Sequence, residues 1–207
     1  MRQKCGELSV EKETLILDVG CGNHPIGDVN CDLFINSTFH RGSGTKIVKR
    51  YTPNLVQCPT EKLPFPDKSF STVYSKAVME HVDSPLVMLR ELVRVASKRV
   101  LIIVPHRYLR KNWLSLHYNQ HECGEAHKTY FDEKNLAGLI RYVCPNSWFL
   151  IRTRKCRAFH KIPVSFPHAL YAEIRVDKNN ADTVIPLSKL FIERISGIDV
   201  TWERYGN

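Results

Sequence analysis

The sequence predicts an α/β fold built around a parallel β-sheet. Residues 15–22 form an apolar stretch that contains one acid and ends in a Gly-x-Gly turn, the pattern of a buried parallel strand whose carboxyl end meets a ligand. Residues 29–33 follow as a second short strand with an acid near its carboxyl end. A helical pattern at 85–97 leads into the apolar strand 100–104, and this alternation of strand and helix is typical of parallel sheets.

The first two strands supply the first candidate site residues. Gly20 and Gly22 flank Cys21, and glycine in such a turn adopts positive φ and lets the backbone approach a ligand closely. Asp18 lies inside the apolar strand, so its carboxylate needs N–H partners from the backbone or a ligand. Asp32 lies where nucleotide-binding sheets place an acid that accepts hydrogen bonds from ribose hydroxyls; the alternative for Asp32 is an acid that caps a turn.

The connection between the first two strands is unusually short. Only residues 23–28 separate the glycine turn from the second strand, so a loop or a single helical turn must replace the helix of an ordinary crossover. Without that helix, a ligand carboxylate has no helix N-terminus to bind. We therefore expect the backbone amides of the glycine turn to bind such a carboxylate.

The rest of the chain continues the alternation of strands and helices. Pro85, with a cap at Asp83 or Ser84, begins the first helix, and Asp132 is the predicted cap of the second. The other predicted elements are strands at 47–48, 55–58, 70–75, 147–153 and 169–176, a stiff turn at 63–67, a helix from 131 to 142 and a terminal helix at 187–195.

Composition narrows the class of protein. The chain has 207 residues, of which 43% are hydrophobic and 25% charged, values typical of one soluble globular domain. It has no run of roughly eighteen apolar residues, so no membrane span is expected. Its seven cysteines include no Cys-x-x-Cys pair, which favours reduced thiols and a cytoplasmic location.

The net charge of +9 leaves two interpretations open. Basic residues gather within 41–50, 94–111 and 152–161. Such clusters favour an anionic partner, including RNA. They also occur as a solvated basic face with no partner at all.

Three motifs together resemble those of the class I S-adenosylmethionine-dependent methyltransferases, in particular the small type 11 group. They are D-V-G-C-G at 18–22, P-T-E-K-L-P-F-P-D-K-S-F at 59–70 and M-E-H at 79–81. The group typically shows D-x-G-C-G, then A-E-x-L-P-F-x-D-x-S-F-D, then L-E-H after a strand. The resemblance covers roughly residues 13–155, and the combination is far more specific than any single motif.

The resemblance implies a Rossmann-like three-layer sandwich. Its sheet would have seven strands and be mostly parallel, with an antiparallel hairpin at the C-terminal edge. The whole chain, 1–207, would form one methyltransferase domain. Residues 1–12 would be a lead-in, 106–130 a substrate lid and 182–207 a C-terminal extension.

The resemblance also implies S-adenosyl-L-methionine as cofactor. The glycine turn would hold its methionine part, Asp32 its ribose, and the region of Glu61 and Leu63 its adenine. The implied cofactor-binding residues are Asp18, Gly20, Cys21, Gly22, Asp32, Leu33, Thr60, Glu61, Lys62, Leu63 and Ser75. The sequence departs from the family's pattern at Cys58-Pro59. The family commonly has an acid at this place, where it binds the amino group of the adenine.

Two histidines are the candidate catalytic residues. Methyl transfer is an in-line displacement from a sulfonium, so the enzyme holds the acceptor in line and removes its proton. In the family, the position of His81 borders the methyl side of the cofactor, and His106 follows the fifth strand. Either imidazole could act as a general base near neutral pH, or either could simply pack and hydrogen-bond within the fold.

Residues 106–128 contain the densest group of side chains that could bind a metal or a substrate. His117, His121, Cys123 and His127 could together suit zinc, although their spacing matches no standard zinc module, and no metal is predicted. Related enzymes often have a lid loop here with a histidine before an aromatic residue. The implied substrate-contacting residues are Trp113, His117, Tyr118, His127 and Tyr130.

The sequence therefore predicts a methyltransferase that transfers the methyl group of S-adenosyl-L-methionine to an O or N atom of a small-molecule acceptor. Two alternatives remain open. One is methylation of RNA or another macromolecule through the basic surface. The other is a non-catalytic partner subunit, suggested by the short crossover and by Cys58-Pro59. No membrane partner is expected, and the oligomeric state is undetermined.

Overall fold

A computed structural model describes residues 15–36, 52–107, 127–159, 162–176 and 201–205. These residues form eight strands and two helices. The strands are β1 (Ile16–Val19), β2 (Val29–Asp32), β3 (Leu55–Gln57), β4 (Phe70–Lys76), β5 (Ala96–Pro105), β6 (Phe149–Phe159), β7 (Ile162–Arg175) and β8 (Thr201–Tyr205). The helices are α1 (Pro85–Val95) and α2 (Glu133–Val143).

The strands form one mixed sheet in the order β3-β2-β1-β4-β5-β7-β6-β8. Strands β1 to β5 pair in parallel, whereas β7 is antiparallel to both β5 and β6. Val19 is in register with Cys31 on one side and with Ser75 on the other, so β1, β2 and β4 end at one edge. The predicted α/β fold, with a parallel sheet and an antiparallel hairpin, is confirmed.

The structure corrects the predicted elements at several boundaries. Strand β8 extends the predicted seven strands to eight by pairing antiparallel with β6. Strand β5 begins at Ala96, directly after α1, because Ala96 already pairs with Phe70 of β4. The sequence placed the end of α1 near 97 and the start of β5 at 100. The predicted strand 47–48, the lead-in and the terminal helix 187–195 lie outside the described residues.

Both helices begin at the predicted caps. Ser84 is the N-cap of α1, where its side chain accepts a hydrogen bond from the Val87 amide at 3.3 Å, and Pro85 opens the helix. Asp132 caps α2 in a capping box, in which Asp132 and Asn135 each accept the other's backbone N–H.

The core lies between the sheet and the two helices. Alternate residues of the central strands pack with the buried residues of α1 and α2 in one large apolar cluster. The opposite face holds a smaller cluster of Tyr74, Leu101 and Tyr171. Within the described residues both helices pack on one face of the sheet and form one helical layer.

Arg94 fastens the turn before β4 to helix α1. Its guanidinium donates to the carbonyls of Leu63 and Phe65 at 3.0 and 2.8 Å and to the carboxylate of Asp67 at 2.8 Å. Glu91, one helical turn earlier, binds Arg94 at 2.7 Å and also accepts the amide N–H of Leu63. The hydrogen bond from Arg94 lowers the pKa of Glu91. Arg94, which the sequence grouped with a basic patch, is therefore a structural residue.

We expect Arg94→Ala to lower the free energy of unfolding by about 2 kcal/mol, because two backbone carbonyls and two carboxylates lose a charged donor. Urea unfolding followed by circular dichroism measures this change. Arg90→Ala is the matched control, because Arg90 lies on the same helix and its guanidinium contacts only the face of the Tyr142 ring among the contacts described, at 5.9 Å. Equal stability of the two variants would contradict the structural role of Arg94.

Candidate active site

The glycine turn that follows β1 has the predicted backbone conformation. Gly20 and Gly22 have φ angles of +74° and +57°, a region that glycine adopts without steric cost. A Cβ atom on Gly20 would lie 2.2 Å from Cγ2 of Val78. Glycine at position 20 is therefore required by packing as well, and the turn contacts the segment that follows β4.

The amides of the glycine turn are used within the protein. The N–H groups of Gly20 and Cys21 both donate to the carbonyl of Cys31, at 2.8 and 3.1 Å. The N–H of Gly22 donates to Oδ2 of Asp32 at 3.0 Å. An amide has a single hydrogen to donate, so the expectation that these three amides bind a ligand carboxylate is wrong.

Asp32 ends β2 beside the turn. Its two carboxylate oxygens accept the backbone N–H groups of Gly22 and Phe34, each at 3.0 Å, and these bonds fix its orientation. An acid at the end of this strand is where nucleotide-binding sheets bind ribose hydroxyls. The position of Asp32 and its acceptor oxygens therefore fit the ribose part of the expected cofactor.

The short crossover is a loop, as predicted. The Asn30 side chain exchanges two hydrogen bonds with the backbone of Gly27 and also donates to the carbonyl of Pro53. A Cβ atom on Gly27 would lie 2.5 Å from the carbonyl oxygen of Val29. These contacts close the loop tightly enough that no helix is needed between β1 and β2.

Asp18 is buried in the middle of β1. Its partner is the amide of Ile26 in the same loop, which donates to Oδ2 at 3.0 Å. Burial raises the pKa of Asp18 to about 7, although this hydrogen bond acts in the opposite direction. The predicted need for an N–H partner is thus met by the backbone.

The remaining predicted cofactor residues divide into two groups. Leu33, Glu61 and Lys62 are exposed or partly exposed near the ends of β2 and β3, and Glu61 accepts a hydrogen bond from the buried Thr60 hydroxyl at 3.0 Å. The others are buried within the fold: Cys21 behind the turn, Leu63 in the main core, and Ser75, whose hydroxyl donates to the Val19 carbonyl at 3.0 Å.

The segment after β4 turns sharply to present Glu80 and His81. Ala77 has a φ of +55°, which costs a residue with a Cβ atom about 1 kcal/mol, and its amide donates to the Ile103 carbonyl at 2.9 Å. Unfavourable backbone conformations of this kind concentrate at functional sites. The turn brings the predicted catalytic residue His81 to the carboxyl edge of the sheet.

His81 contacts one residue that the sequence assigned to the substrate, and that residue contacts a second. The rings of His81 and His127 are 4.9 Å apart and edge to face, and the His127 ring lies 5.9 Å from that of Tyr130. Glu80 completes this group, with Oε1 lying 3.9 Å from Nε2 of His81. We call Glu80, His81, His127 and Tyr130 the post-β4 cluster.

Backbone hydrogen bonds hold the two halves of the post-β4 cluster together. The amides of Lys128 and Thr129 donate to the carbonyl of Glu80 at 2.8 and 3.1 Å. The ammonium of Lys128 pairs with Asp83 at 2.8 Å. The 127–130 segment is thus fixed against the turn that carries His81.

Glu80 is the site residue that the sequence analysis missed. Its side chain is 2% exposed, and burial raises its pKa to about 8. Burial also lowers the pKa of His127, so both groups favour their neutral forms near pH 7. The M-E-H motif contained the signal, because an acid directly after an apolar strand and beside a histidine is a candidate partner for that histidine.

His106 has a different environment from His81. Its ring is buried, and Nε2 lies 3.2 Å from Oε2 of Glu133, whose other oxygen accepts the hydroxyl of Thr153. Burial alone would raise the pKa of Glu133, but the hydrogen bonds from Thr153 and His106 lower it overall. This arrangement favours the packing role for His106 over the general-base role.

Five of the predicted residues lie outside the described part of the chain: Trp113, His117, Tyr118, His121 and Cys123. Of the four possible metal ligands, the structure describes His127. Of the predicted lid, 106–130, the structure describes 106–107 and 127–130.

Comparison with known proteins identifies the chain. Residues 17–104 match the family model of a methyltransferase domain, and this region holds the glycine turn, Asp32 and His81. Residues 17–104 therefore form a methyltransferase domain of the class I S-adenosylmethionine-dependent kind. The methyltransferase uses S-adenosyl-L-methionine as its methyl donor. No curated protein matches its sequence.

Solved structures share the fold of this methyltransferase. An S-adenosylmethionine-dependent methyltransferase of Thermotoga maritima, described as a possible histamine N-methyltransferase, is 14% identical with a TM-score of 0.59, over 80% of this chain and 83% of that one. A methyltransferase of Bacillus halodurans is 14% identical, with a TM-score of 0.53 over 79% and 93%. The plantazolicin methyltransferase BpumL, solved with a desmethylPZN analogue and S-adenosylhomocysteine, is 15% identical, with a TM-score of 0.55 over 78% and 76%.

The helices of the methyltransferase are short. Among the described residues, none is long and apolar enough to cross a membrane.

Proposed function

We propose that this methyltransferase transfers a methyl group to an O or N atom of a small-molecule acceptor, which binds at the post-β4 cluster. The observation that carries the proposal is the convergence of His81, His127 and Tyr130, which come from two separate segments. The side chain of His81 is only 21% exposed, and His127 and Tyr130 are partly buried. Side chains that are mostly buried suit a small acceptor better than a long polymer.

The charges around the post-β4 cluster also favour a small-molecule acceptor over RNA. Lys128, the cation nearest to it in sequence, is paired with Asp83. Arg94 is committed to the turn before β4, and Arg107 pairs with Asp132 at 2.7 Å. These three cations of the described residues are therefore neutralised locally, whereas RNA binding requires cations that can neutralise phosphates.

The protein's part in the reaction is to bind, orient and deprotonate the acceptor. Bound S-adenosyl-L-methionine supplies a methyl group on a positively charged sulfur. Asp32 would hold the ribose hydroxyls, and the glycine turn would lie against the methionine part. The glycine turn lies beside Val78, so the methionine part would lie near the segment that carries His81. His81 would accept the acceptor's proton, and His127 and Tyr130 would contact the acceptor.

The acceptor class can be tested through the salt dependence of methyl transfer. The purified chain is incubated with methyl-labelled S-adenosyl-L-methionine and either a pool of small hydroxyl- and amine-bearing metabolites or total RNA. We expect label in the small-molecule pool, with kcat/KM changing by less than about twofold between low and moderate salt, because no phosphates need to be neutralised. Transfer to RNA that falls steeply with salt would contradict the proposal.

The names of two structurally similar proteins also refer to small acceptors, histamine in one and a desmethylPZN analogue in the other. At 14% and 15% identity this likeness shows the fold alone, so the proposal rests on the post-β4 cluster.

We also propose a cytoplasmic location. Cys31 lies in β2, Cys58 directly follows the neighbouring β3, and both are buried cysteines outside any disulfide. Adjacent free thiols are typical of proteins in reducing compartments.

A further inference from the structure

We propose that Glu80, His81 and His127 bind a divalent transition-metal ion, with zinc as the best fit. One ligand atom from each residue, a carboxylate oxygen and two imidazole nitrogens, lies within 4.8 Å of the other two. Ligand atoms around tetrahedral zinc lie roughly 3.3 Å apart, given bond lengths of about 2.0–2.1 Å. Small side-chain rotations are enough to close the difference.

The donor chemistry is that of a catalytic rather than a structural zinc site. Two histidines and one glutamate are a known ligand set for catalytic zinc, and three protein ligands leave a fourth position open. Two neutral imidazoles and one carboxylate also suit Fe²⁺. The absence of a thiolate from these three residues disfavours the softer Cu⁺ ion.

The buried carboxyl group of Glu80 lacks a partner that a metal ion would provide. The side chain is 2% exposed, and within the described residues its Oε2 atom has no hydrogen-bond partner. Leaving a buried carboxyl oxygen unpaired costs about 1–3 kcal/mol. A bound cation would displace the proton of this carboxyl group, coordinate the oxygen and compensate the charge of the buried carboxylate.

The two segments that carry the proposed ligands are held together without a metal ion. The amides of Lys128 and Thr129 hold the 127–130 segment on the carbonyl of Glu80, and the Lys128–Asp83 ion pair adds a second fastening. The ligands from the two segments are therefore brought together by bonds that do not depend on the metal.

This part of the inference rests on the proposed methyl transfer to a small acceptor, with His81 acting as a metal ligand in place of the role of proton acceptor. A hydroxyl oxygen of the acceptor would occupy the open position, and coordination would release its proton to water. The resulting alkoxide forms the new O–CH₃ bond as the S–CH₃ bond breaks, which leaves S-adenosylhomocysteine as a neutral thioether. The metal thus selects acceptors with a hydroxyl group next to the methyl donor.

The test uses the full chain, freed of metal by dialysis against a chelator and titrated calorimetrically with ZnCl₂. We expect the wild type to bind zinc and Glu80→Gln and His127→Gln each to bind it about 100-fold more weakly, because each lacks one ligand. Co²⁺ provides a second readout, since its visible d–d absorption reports coordination by nitrogen and oxygen. The matched control is His168→Gln, which changes a partly buried histidine outside the cluster and should leave zinc affinity unchanged.

Two results would overturn the metal proposal. One is a wild type that binds no zinc, and the other is unchanged affinity in both ligand variants, which would place any bound zinc elsewhere. Circular dichroism confirms that each variant is folded, and Glu80→Gln preserves the shape of the buried side chain. Binding of S-adenosyl-L-methionine is measured on the same samples. Zinc binding without methyl transfer to a small molecule would count against the proposed function alone.

Discussion

Replacing His81 with alanine is expected to lower kcat by about 10²–10⁴-fold, the usual contribution of a positioned proton acceptor. Affinity for S-adenosyl-L-methionine should change by less than about twofold, because the ring contacts His127 and Glu80 rather than the glycine turn. Steady-state rates with the acceptor found by the labelling screen, together with calorimetric titration of the cofactor, measure the two effects separately.

The control for His81→Ala is again His168→Gln, which should keep wild-type kcat. Wild-type turnover in His81→Ala would assign His81 to the fold rather than to the reaction. A loss of cofactor affinity as large as the loss in kcat would place the His81 ring at the cofactor instead of the acceptor.

Variants of the neighbouring residues distinguish how His81 acts. If His81 is a lone general base, Glu80→Gln and His127→Gln should lower kcat far less than His81→Ala does. If the three residues act as one metal-binding unit, all three variants should show similar losses, and combining them should add little. The pattern across the three variants is therefore more informative than any single loss.

Local sequence signals were sufficient to predict the elements of the fold. The caps at Ser84 and Asp132 follow from side chains that can satisfy free amides at a helix start. The apolar runs of β1 and β5 follow from burial on both faces of a parallel sheet. In each case the determining residues lie within a few positions of the element that they define.

The errors arose where distant parts of the chain decide the structure. Strand β8 exists through pairing with β6, about fifty residues earlier in the chain, and its own sequence carries no register information. Arg94 looked like one cation of a basic patch because its partners Leu63 and Phe65 lie on a distant turn. Hydrogen bonds of this kind cannot be inferred from periodicity.

In the candidate site, too, local sequence signals were sufficient for some residues, whereas contacts between distant segments decided the others. The sequence selected His81, His127 and Tyr130 separately, and the structure brings them together. It did not select Glu80, because an acid beside a histidine is commonly solvent-exposed. The 127–130 segment, which binds the backbone carbonyl of Glu80 through two amides, lies almost fifty residues later in the chain. The glycine turn shows the converse, since its amides were expected to face a ligand but bind Cys31 and Asp32.

Replacing Asp32 with alanine is expected to weaken binding of S-adenosyl-L-methionine by about 1–3 kcal/mol, or roughly 5- to 150-fold in Kd. The amides of Gly22 and Phe34 fix the orientation of the carboxylate that ends β2, and nucleotide-binding sheets bind ribose hydroxyls at this position. Asp32→Asn keeps one acceptor oxygen and loses the charge, so its affinity should be intermediate. Calorimetric titration with the cofactor and with S-adenosylhomocysteine measures both variants.

Asp28→Ala is the matched control for Asp32→Ala. Asp28 also accepts a backbone N–H, that of Ile16 at 2.8 Å, but it precedes β2 and lies at the opposite end of that strand. Loss of a backbone contact alone would affect the stability of both variants, whereas loss of a cofactor contact affects the affinity of Asp32→Ala only. Equal affinities in the two variants would remove Asp32 from the binding site, and the glycine turn would then bind the cofactor without an acid at the end of β2.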